Sequence, residues 1–164
     1  MLRDDAVPPP GSPGGSGEPL ADLAGLIAAS QRLGQHVEFD DRAGPLPSAT
    51  ARVIYRIAQE GLTNARKHAP DAPVTVRVER AEPRAVTITV HNPYSSAPPL
   101  GLPGSGTGLI GLAERVRLVG GVLHSGPLGD DQGGGWRLRA VLPWLDHHVD
   151  EDRADTGNTA AGAQ

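Results

Sequence analysis

Four polar residues in the middle of the chain have types and spacing that could hold a phosphate-bearing ligand. Glu60, Asn64, Lys67 and His68 recur at helical intervals along one edge of an apolar stripe. Glu60 and Asn64 offer hard oxygen ligands suited to Mg²⁺, and Lys67 and His68 lie one turn further along, where they could meet phosphate charge. Lys67 is the only lysine among 15 basic residues. The alternative interpretation is an ordinary solvated helix face, which an isolated Glu and Asn at this spacing would favour.

The stretch from Ser48 to Ala69 is the helix that must position these residues. Its apolar side chains recur at three- and four-residue steps, the period of an amphipathic helix with one face in a core. They are Ile54, Ile57, Ala58, Leu62 and Ala65. The polar edge beside this buried face is therefore where a ligand could lie.

A glycine-rich run, GSGTGLIGLAERVRLVGG, follows a stretch dense in Pro, Gly and Ser. Closely spaced glycines allow backbone N–H groups to approach phosphates, and the helical spacing after Leu109 would place them near a positive helix terminus. The candidates for such phosphate contacts are Gly104, Gly106 and Gly108. We expect residues 94–106 to form a mobile lid, and simple lid flexibility is the alternative explanation for the glycines.

The segment RIAQEGLTNARKHA resembles the N box of GHKL ATPases, specifically of sensor histidine kinases of the nitrate-sensor (NarL and DesK-like) class. The resemblance extends from about Leu20 to Pro143. It implies ATP and Mg²⁺ as ligands, with Glu60 and Asn64 as catalytic and metal-binding residues. It also implies that Lys67 and His68 lie near the phosphates. The glycine run would be the second glycine box, whose nucleotide-binding residues would be Gly104, Gly106, Thr107, Gly108 and Leu109.

One position departs from the family pattern that the resemblance implies. Many histidine kinases place an Asp after the strand that matches Val86–Val90, where it recognises the adenine amino group. This chain reads VHNPYSS, so that Asn92 is the nearest polar candidate. A neutral amide can accept a hydrogen bond from adenine, but a charged acceptor makes a bond that is roughly twice as strong.

Composition limits the rest of the chain. Its 164 residues with 38% hydrophobic content fit one domain, and we predict a linker at 1–17, an ATP-binding domain at 18–145 and a disordered acidic tail at 146–164. The net charge of −4 and the lack of a basic run argue against nucleic-acid binding. No cysteine and no long apolar run predict a cytoplasmic chain without membrane contact of its own. The cytoplasmic part of a membrane-bound kinase is an alternative that fits the same observations.

The predicted elements are helix, strand, long helix, hairpin, lid, helix and hairpin. Helices with one apolar face and strands that alternate favour an α+β, two-layer sandwich: a mixed, mostly antiparallel sheet with helices on one face. The Bergerat fold that the resemblance implies has this architecture. Between the helix layer and the lid, that fold holds a nucleotide.

The leading functional hypothesis is the catalytic domain of a sensor histidine kinase, which transfers the ATP γ-phosphoryl group to a histidine. No phosphoacceptor helix occurs in the chain, so the expected partners are a dimerisation domain of the same kinase, in a homodimer, and a downstream response regulator. Two alternatives remain open. One is a serine protein kinase of the anti-sigma-factor type, and the other is an interaction module that keeps the fold without binding nucleotide.

Overall fold

The computed structural model of the protein describes residues 19–81, 83–100 and 107–144. The predicted linker at 1–17 and acidic tail at 146–164 lie outside the described residues. Three helices are present in the described ranges: α1 (Pro19–Arg32), α2 (Ser48–His68) and α3 (Thr107–Leu118). Five strands accompany them: β1 (Val37–Asp41), β2 (Val74–Ala81), β3 (Ala85–Asn92), β4 (Val122–Pro127) and β5 (Trp136–Pro143).

The strands form one sheet in the order β1-β2-β3-β5-β4. β1 pairs with β2 in parallel, and the other three pairs are antiparallel. β2 and β3 form the predicted hairpin, and β4 and β5 form the second one, with a short 3₁₀ turn at Asp130–Gln132 in its loop. The predicted mixed, mostly antiparallel sheet is confirmed.

Alternation along the strands places one face of the sheet in the core. Buried side chains on β2, β3 and β5 point to the helices, and they are Val74, Val76, Val78, Val86, Ile88, Val90, Leu138, Ala140 and Leu142. The opposite face is mostly polar, with residues such as Arg77 on β2 and Arg139 on β5. Because the apolar side chains are concentrated on one face, the helices of the described ranges pack there, as predicted.

The long helix α2 lies at the centre of the helix layer, in contact with α1, α3, β2, β3 and β5. Ile54, Ile57 and Ala58 are completely buried, and Leu62 and Ala65 are almost so. A Cβ atom at Gly61 would lie 2.8 Å from a Val90 methyl carbon, so glycine permits the close approach of α2 to β3. This packing fixes the rotation of α2 and therefore the direction of its polar edge.

Candidate functional site

A pocket of about 510 Å³ opens beside the second half of α2. Its other walls are the residues that follow β3, the start of α3 and the base of the β4–β5 hairpin. Seven of the predicted site residues line it, namely Glu60, Asn64, Lys67, His68, Asn92, Gly108 and Leu109. The volume lies within the usual range for small-molecule sites, roughly 300–1,000 Å³.

Glu60 and Asn64 are in direct contact along the edge of α2. The Asn64 side-chain Nδ2 donates a hydrogen bond to Glu60 Oε1 at 3.2 Å. This bond orients the carboxamide so that Asn64 Oδ1 and Glu60 Oε2 are left as acceptors on the wall of the pocket. Both side chains are partly exposed, so these oxygens are accessible to a ligand.

The two cationic candidates differ in their surroundings. The Lys67 side chain is half-buried, whereas His68 is exposed, and both line the pocket. The Lys67 carbonyl oxygen accepts a hydrogen bond from Leu100 N at 2.9 Å. Within the described ranges the Lys67 ammonium forms no ion pair, so its charge is available to an anionic ligand.

The start of α3 lies directly against Glu60. A Cβ atom at Gly108 would overlap the Glu60 carboxylate, so a larger residue at this position would require that side chain to move. Thr107 lines a smaller recess that continues from the pocket and is shared with Glu60 and Gly108. The N-terminal end of a helix attracts anions through its free N–H groups and dipole. Gly104 and Gly106 lie outside the described residues.

Asn92 ends β3 at the deep side of the pocket and is only 5% exposed. Its Nδ2 donates a hydrogen bond to the Pro93 carbonyl oxygen at 3.1 Å. This bond engages one of the two N–H groups of the carboxamide, which keeps Oδ1 as its acceptor.

The β4–β5 hairpin contributes pocket residues that sequence reasoning missed. Gly133, Gly134 and Gly135 all have positive φ angles, a backbone region that favours glycine. A Cβ atom at Gly135 would overlap the Asn92 carbonyl oxygen, so this glycine allows the hairpin to lie against the end of β3. Trp136 follows and forms part of the pocket wall. The run of three glycines was the available signal.

The segment after β3 is attached to the end of α2 through Asp71. The hydroxyl groups of Ser95 and Ser96 donate to the Asp71 carboxylate, and Ala97 N donates to it at 3.2 Å. Tyr94 also donates from its hydroxyl to the Leu128 carbonyl oxygen at 3.1 Å. Residues 94–97 of the expected lid are thus hydrogen-bonded to the body of the domain, and residues 101–106 lie outside the described ranges.

Asp71 should make the stability of the domain depend on acid pH. The hydroxyls of Ser95 and Ser96, followed by the Ala97 N–H, lower the pKa of Asp71 from 3.8 to about 2. Because the folded-state pKa is the lower one, the stabilisation is complete above pH 3.8 and is lost as pH falls towards 2.

We therefore expect Asp71→Asn to flatten the dependence of the urea midpoint on pH between about 4 and 2, the window that these pKa values define. Asp22→Asn, which removes a carboxylate from the first turn of α1, is the matched control. Parallel curves for the parent and Asp71→Asn would show that the carboxylate does not hold the segment.

The sheet order, the helix layer and the pocket together define a class of protein. A five-stranded mixed sheet covered on one face by three helices is the fold of the catalytic domains of histidine kinases. The resemblance predicted from the N box is thereby confirmed at the level of fold.

Particular relatives agree with this assignment. The chain is 31% identical over 94 residues to the signal transduction histidine-protein kinase/phosphatase UhpB of Salmonella typhimurium. The aligned region covers 57% of this chain and 18% of UhpB. The chain therefore spans less than a fifth of that relative's length. No protein-family model matches the chain.

Solved structures with the same fold include other histidine kinases. The histidine kinase domain of the blue-light activated kinase EL346 from Erythrobacter litoralis matches with a TM-score of 0.56 and 22% identity, covering 74% of this chain and 59% of that one. Acinetobacter baumannii AdeS matches with a TM-score of 0.57 and 14% identity, covering 77% and 65%. Full-length ShkA in complex with AMPPNP matches with a TM-score of 0.52 and 13% identity, covering 77% and 29%.

None of the helices within the described ranges has both the length and the apolar character that a membrane span needs.

Proposed function

We propose that this chain is the ATP-binding catalytic domain of a sensor histidine kinase, and that it binds ATP with Mg²⁺ in the pocket beside α2. The observation that carries the proposal is the convergence of Glu60, Asn64 and Lys67 on one pocket wall, facing Asn92 across the cleft. The histidine-kinase fold and the UhpB relative support the reaction class. That ShkA was solved with AMPPNP supports an adenine nucleotide as the ligand.

The chemistry of the donor set fits Mg²⁺. Glu60 and Asn64 supply oxygen ligands one helical turn apart, and Mg²⁺ usually takes only one or two protein oxygens and completes its shell with water and phosphate oxygens. Across the described residues, no group of three or more His, Cys, Asp or Glu side chains points to another metal site. When bound, Mg²⁺ would neutralise charge on the β- and γ-phosphates.

The residues of the chain would divide the remaining tasks. The Lys67 ammonium and the N–H groups in the first turn of α3 attract phosphate oxygens, and Thr107 offers a hydroxyl in the adjoining recess. Glu60 Oε2, free of the bond to Asn64, can accept a hydrogen bond from an attacking imidazole. Phosphoryl transfer requires mainly positioning and charge stabilisation, which these groups provide.

Asn92 would select adenine at the deep end of the pocket. One N–H of its Nδ2 is engaged with the Pro93 carbonyl, and Oδ1 is the acceptor that the carboxamide would offer to the ligand. The exocyclic amino group of adenine is a donor, whereas guanine presents a carbonyl oxygen at that position. ATP should therefore bind more tightly than GTP, although a neutral acceptor makes a weaker bond than a carboxylate would.

The wider roles of the chain follow from this assignment. The γ-phosphoryl group would pass to a histidine on a dimerisation domain of the same kinase, in a homodimer, and then to a response regulator. These events would take place in the cytoplasm. The anti-sigma-factor type of serine kinase uses the same superfamily fold, but the UhpB relative favours histidine as the acceptor.

Titration calorimetry with ATP tests the proposal directly. We expect heat of binding in the presence of Mg²⁺, a much weaker signal in EDTA, and weaker binding of GTP. If neither heat nor competition with a labelled adenine nucleotide is detected at millimolar ATP, the domain is an interaction module and the proposal is wrong.

A further inference from the structure

A second concave surface lies beside the first half of α2, whereas the nucleotide pocket lies beside the second half. It has a volume of about 670 Å³ and is formed by α1, the first half of α2 and the second half of α3. We call it the arginine groove. Its apolar side chains are Val53, Leu112, Leu118 and Val119, and its basic ones are Arg52, Arg56 and Arg115.

The arginine groove lacks the partners that its side chains would normally have. Leu118 is 84% exposed, which is unusual for a leucine beside other apolar residues. The Arg56 guanidinium donates to Gln59, an uncharged residue of the same helix. Within the described ranges, Arg52 and Arg115 form no ion pair, and Asp22 is the single acidic residue in the groove. An occupant should therefore be acidic with a few apolar side chains.

The chain itself leaves the sheet next to this groove. Pro143, the last residue of β5, lies beside Gly120, whose Cβ position would be 3.7 Å from the Pro143 ring. Gly120 directly follows Val119 of the groove. Pro143 is therefore close to the C-terminal end of α3, and Trp144 N donates to the Arg84 carbonyl oxygen.

The sequence after Trp144 is acidic and contains two large apolar residues, which complements the basic and apolar lining of the groove. Residues 145–155 read LDHHVDEDRAD, with five acidic residues and one arginine. Leu145 and Val149 are spaced four apart and could both meet an apolar floor. The five residues from Trp144 to Val149 can span up to about 17 Å, enough to reach along the last turns of α3.

We propose that the acidic segment 145–155 docks in the arginine groove of the same chain, with Leu145 and Val149 against Leu118 and its carboxylates beside Arg52 and Arg115. The groove shares Arg56, Leu112 and Arg115 with the recess that reaches Glu60. The docked segment thus covers one approach to Glu60 and competes with any partner chain that enters from that side. The docking does not depend on nucleotide binding, because it involves only the groove and the segment.

Disulfide trapping in the full chain tests this proposal, since the protein has no cysteine of its own. The test variant is Leu118→Cys with Val149→Cys, and the control is Leu33→Cys with Val149→Cys. Leu33 is 69% exposed and follows the last turn of α1, at the opposite end of that helix from Asp22 of the groove. Leu33 and Leu118 are both exposed, so replacing either with cysteine should not disturb folding.

We expect the intramolecular disulfide of the test pair to form at least about tenfold faster than that of the control, because docking raises the local concentration above that of a free tether. The advantage should shrink in 1 M salt, where the screening length falls to about 3 Å. It should also shrink in Arg52→Glu/Arg115→Glu but not in Arg32→Glu/Arg66→Glu, which changes the net charge equally at the other ends of α1 and α2. Equal rates for the two pairs, an advantage that neither salt nor Arg52→Glu/Arg115→Glu reduces, or disulfides formed mainly between chains, would overturn the proposal.

Discussion

Replacing Asn64 with alanine should lower Mg²⁺-dependent ATP affinity by about 100-fold. Loss of a residue that merely supports a metal ligand costs about 10- to 100-fold in affinity, and we expect the loss of a direct ligand to reach the upper end of that range. The thermal stability of the domain should barely change. Asn64 is partly exposed and makes a single side-chain hydrogen bond in the described ranges, to Glu60 Oε1. Such a bond one turn apart on a helix contributes about 0.2–0.5 kcal/mol, and the better helix propensity of alanine offsets it.

Leu62→Ala is the matched control on the same helix. Leu62 is 2% exposed and packs in the core, so its truncation should lower the free energy of unfolding by about 2–5 kcal/mol. At temperatures where this variant remains folded, ATP affinity should stay close to that of the parent, because Leu62 does not line the pocket.

Thermal unfolding and titration calorimetry on the two variants separate the roles of these residues. If Asn64→Ala unfolds the domain as severely as Leu62→Ala, Asn64 is a structural residue. If it binds Mg²⁺ and ATP as tightly as the parent, Asn64 is not a metal ligand. Either result would refute the proposed site.

Most elements of the fold could be predicted because they have a local period, although β4 has no buried residue. In β2, Val74, Val76 and Val78 alternate with polar residues, and in α2 the buried residues recur at helical steps. These periods identify the buried face of each element. They do not identify its neighbour, and the position of β5 between β3 and β4 depends on packing between residues far apart in sequence.

The same distinction explains which parts of the site could be predicted. Glu60, Asn64 and Lys67 share one helix, so their common edge follows from helical geometry alone. Asn92 meets Gly135 because of the register between β3 and β5, in which Asn92 pairs with Trp136. A register of this kind is set by the whole sheet, so the third wall of the pocket was not visible in the sequence.

The attachment at Asp71 was missed for a related reason. Its partners, Ser95 and Ser96, are 24 and 25 residues away, and they lie in a stretch whose composition indicates only a mobile loop. Composition reports the lack of apolar contacts but not the hydrogen bonds that a distant carboxylate can accept. Only the position of β3 beside β2 brings the serines to the end of α2.

Gly108→Ala is expected to weaken Mg²⁺-dependent ATP binding by at least about tenfold, equivalent to about 1.4 kcal/mol, without unfolding the domain. A Cβ atom at Gly108 would overlap the Glu60 carboxylate and lie 2.8 Å from its Cδ. The end of a glutamate side chain is flexible and can move aside at little energetic cost. The carboxylate would, however, leave the position in which Asn64 holds it, and the proposed metal site would lose its geometry.

Gly111→Ala is the control, because it adds the same methyl group one turn later in α3, where no atom lies within 4 Å. This variant should bind ATP like the parent and gain up to about 1 kcal/mol of stability from replacing glycine inside a helix. Calorimetry and thermal unfolding of both variants give the comparison. Equal ATP affinities for Gly108→Ala and Gly111→Ala would mean that the contact between α3 and Glu60 serves packing alone, and that Glu60 does not need its present position to bind a metal–nucleotide complex.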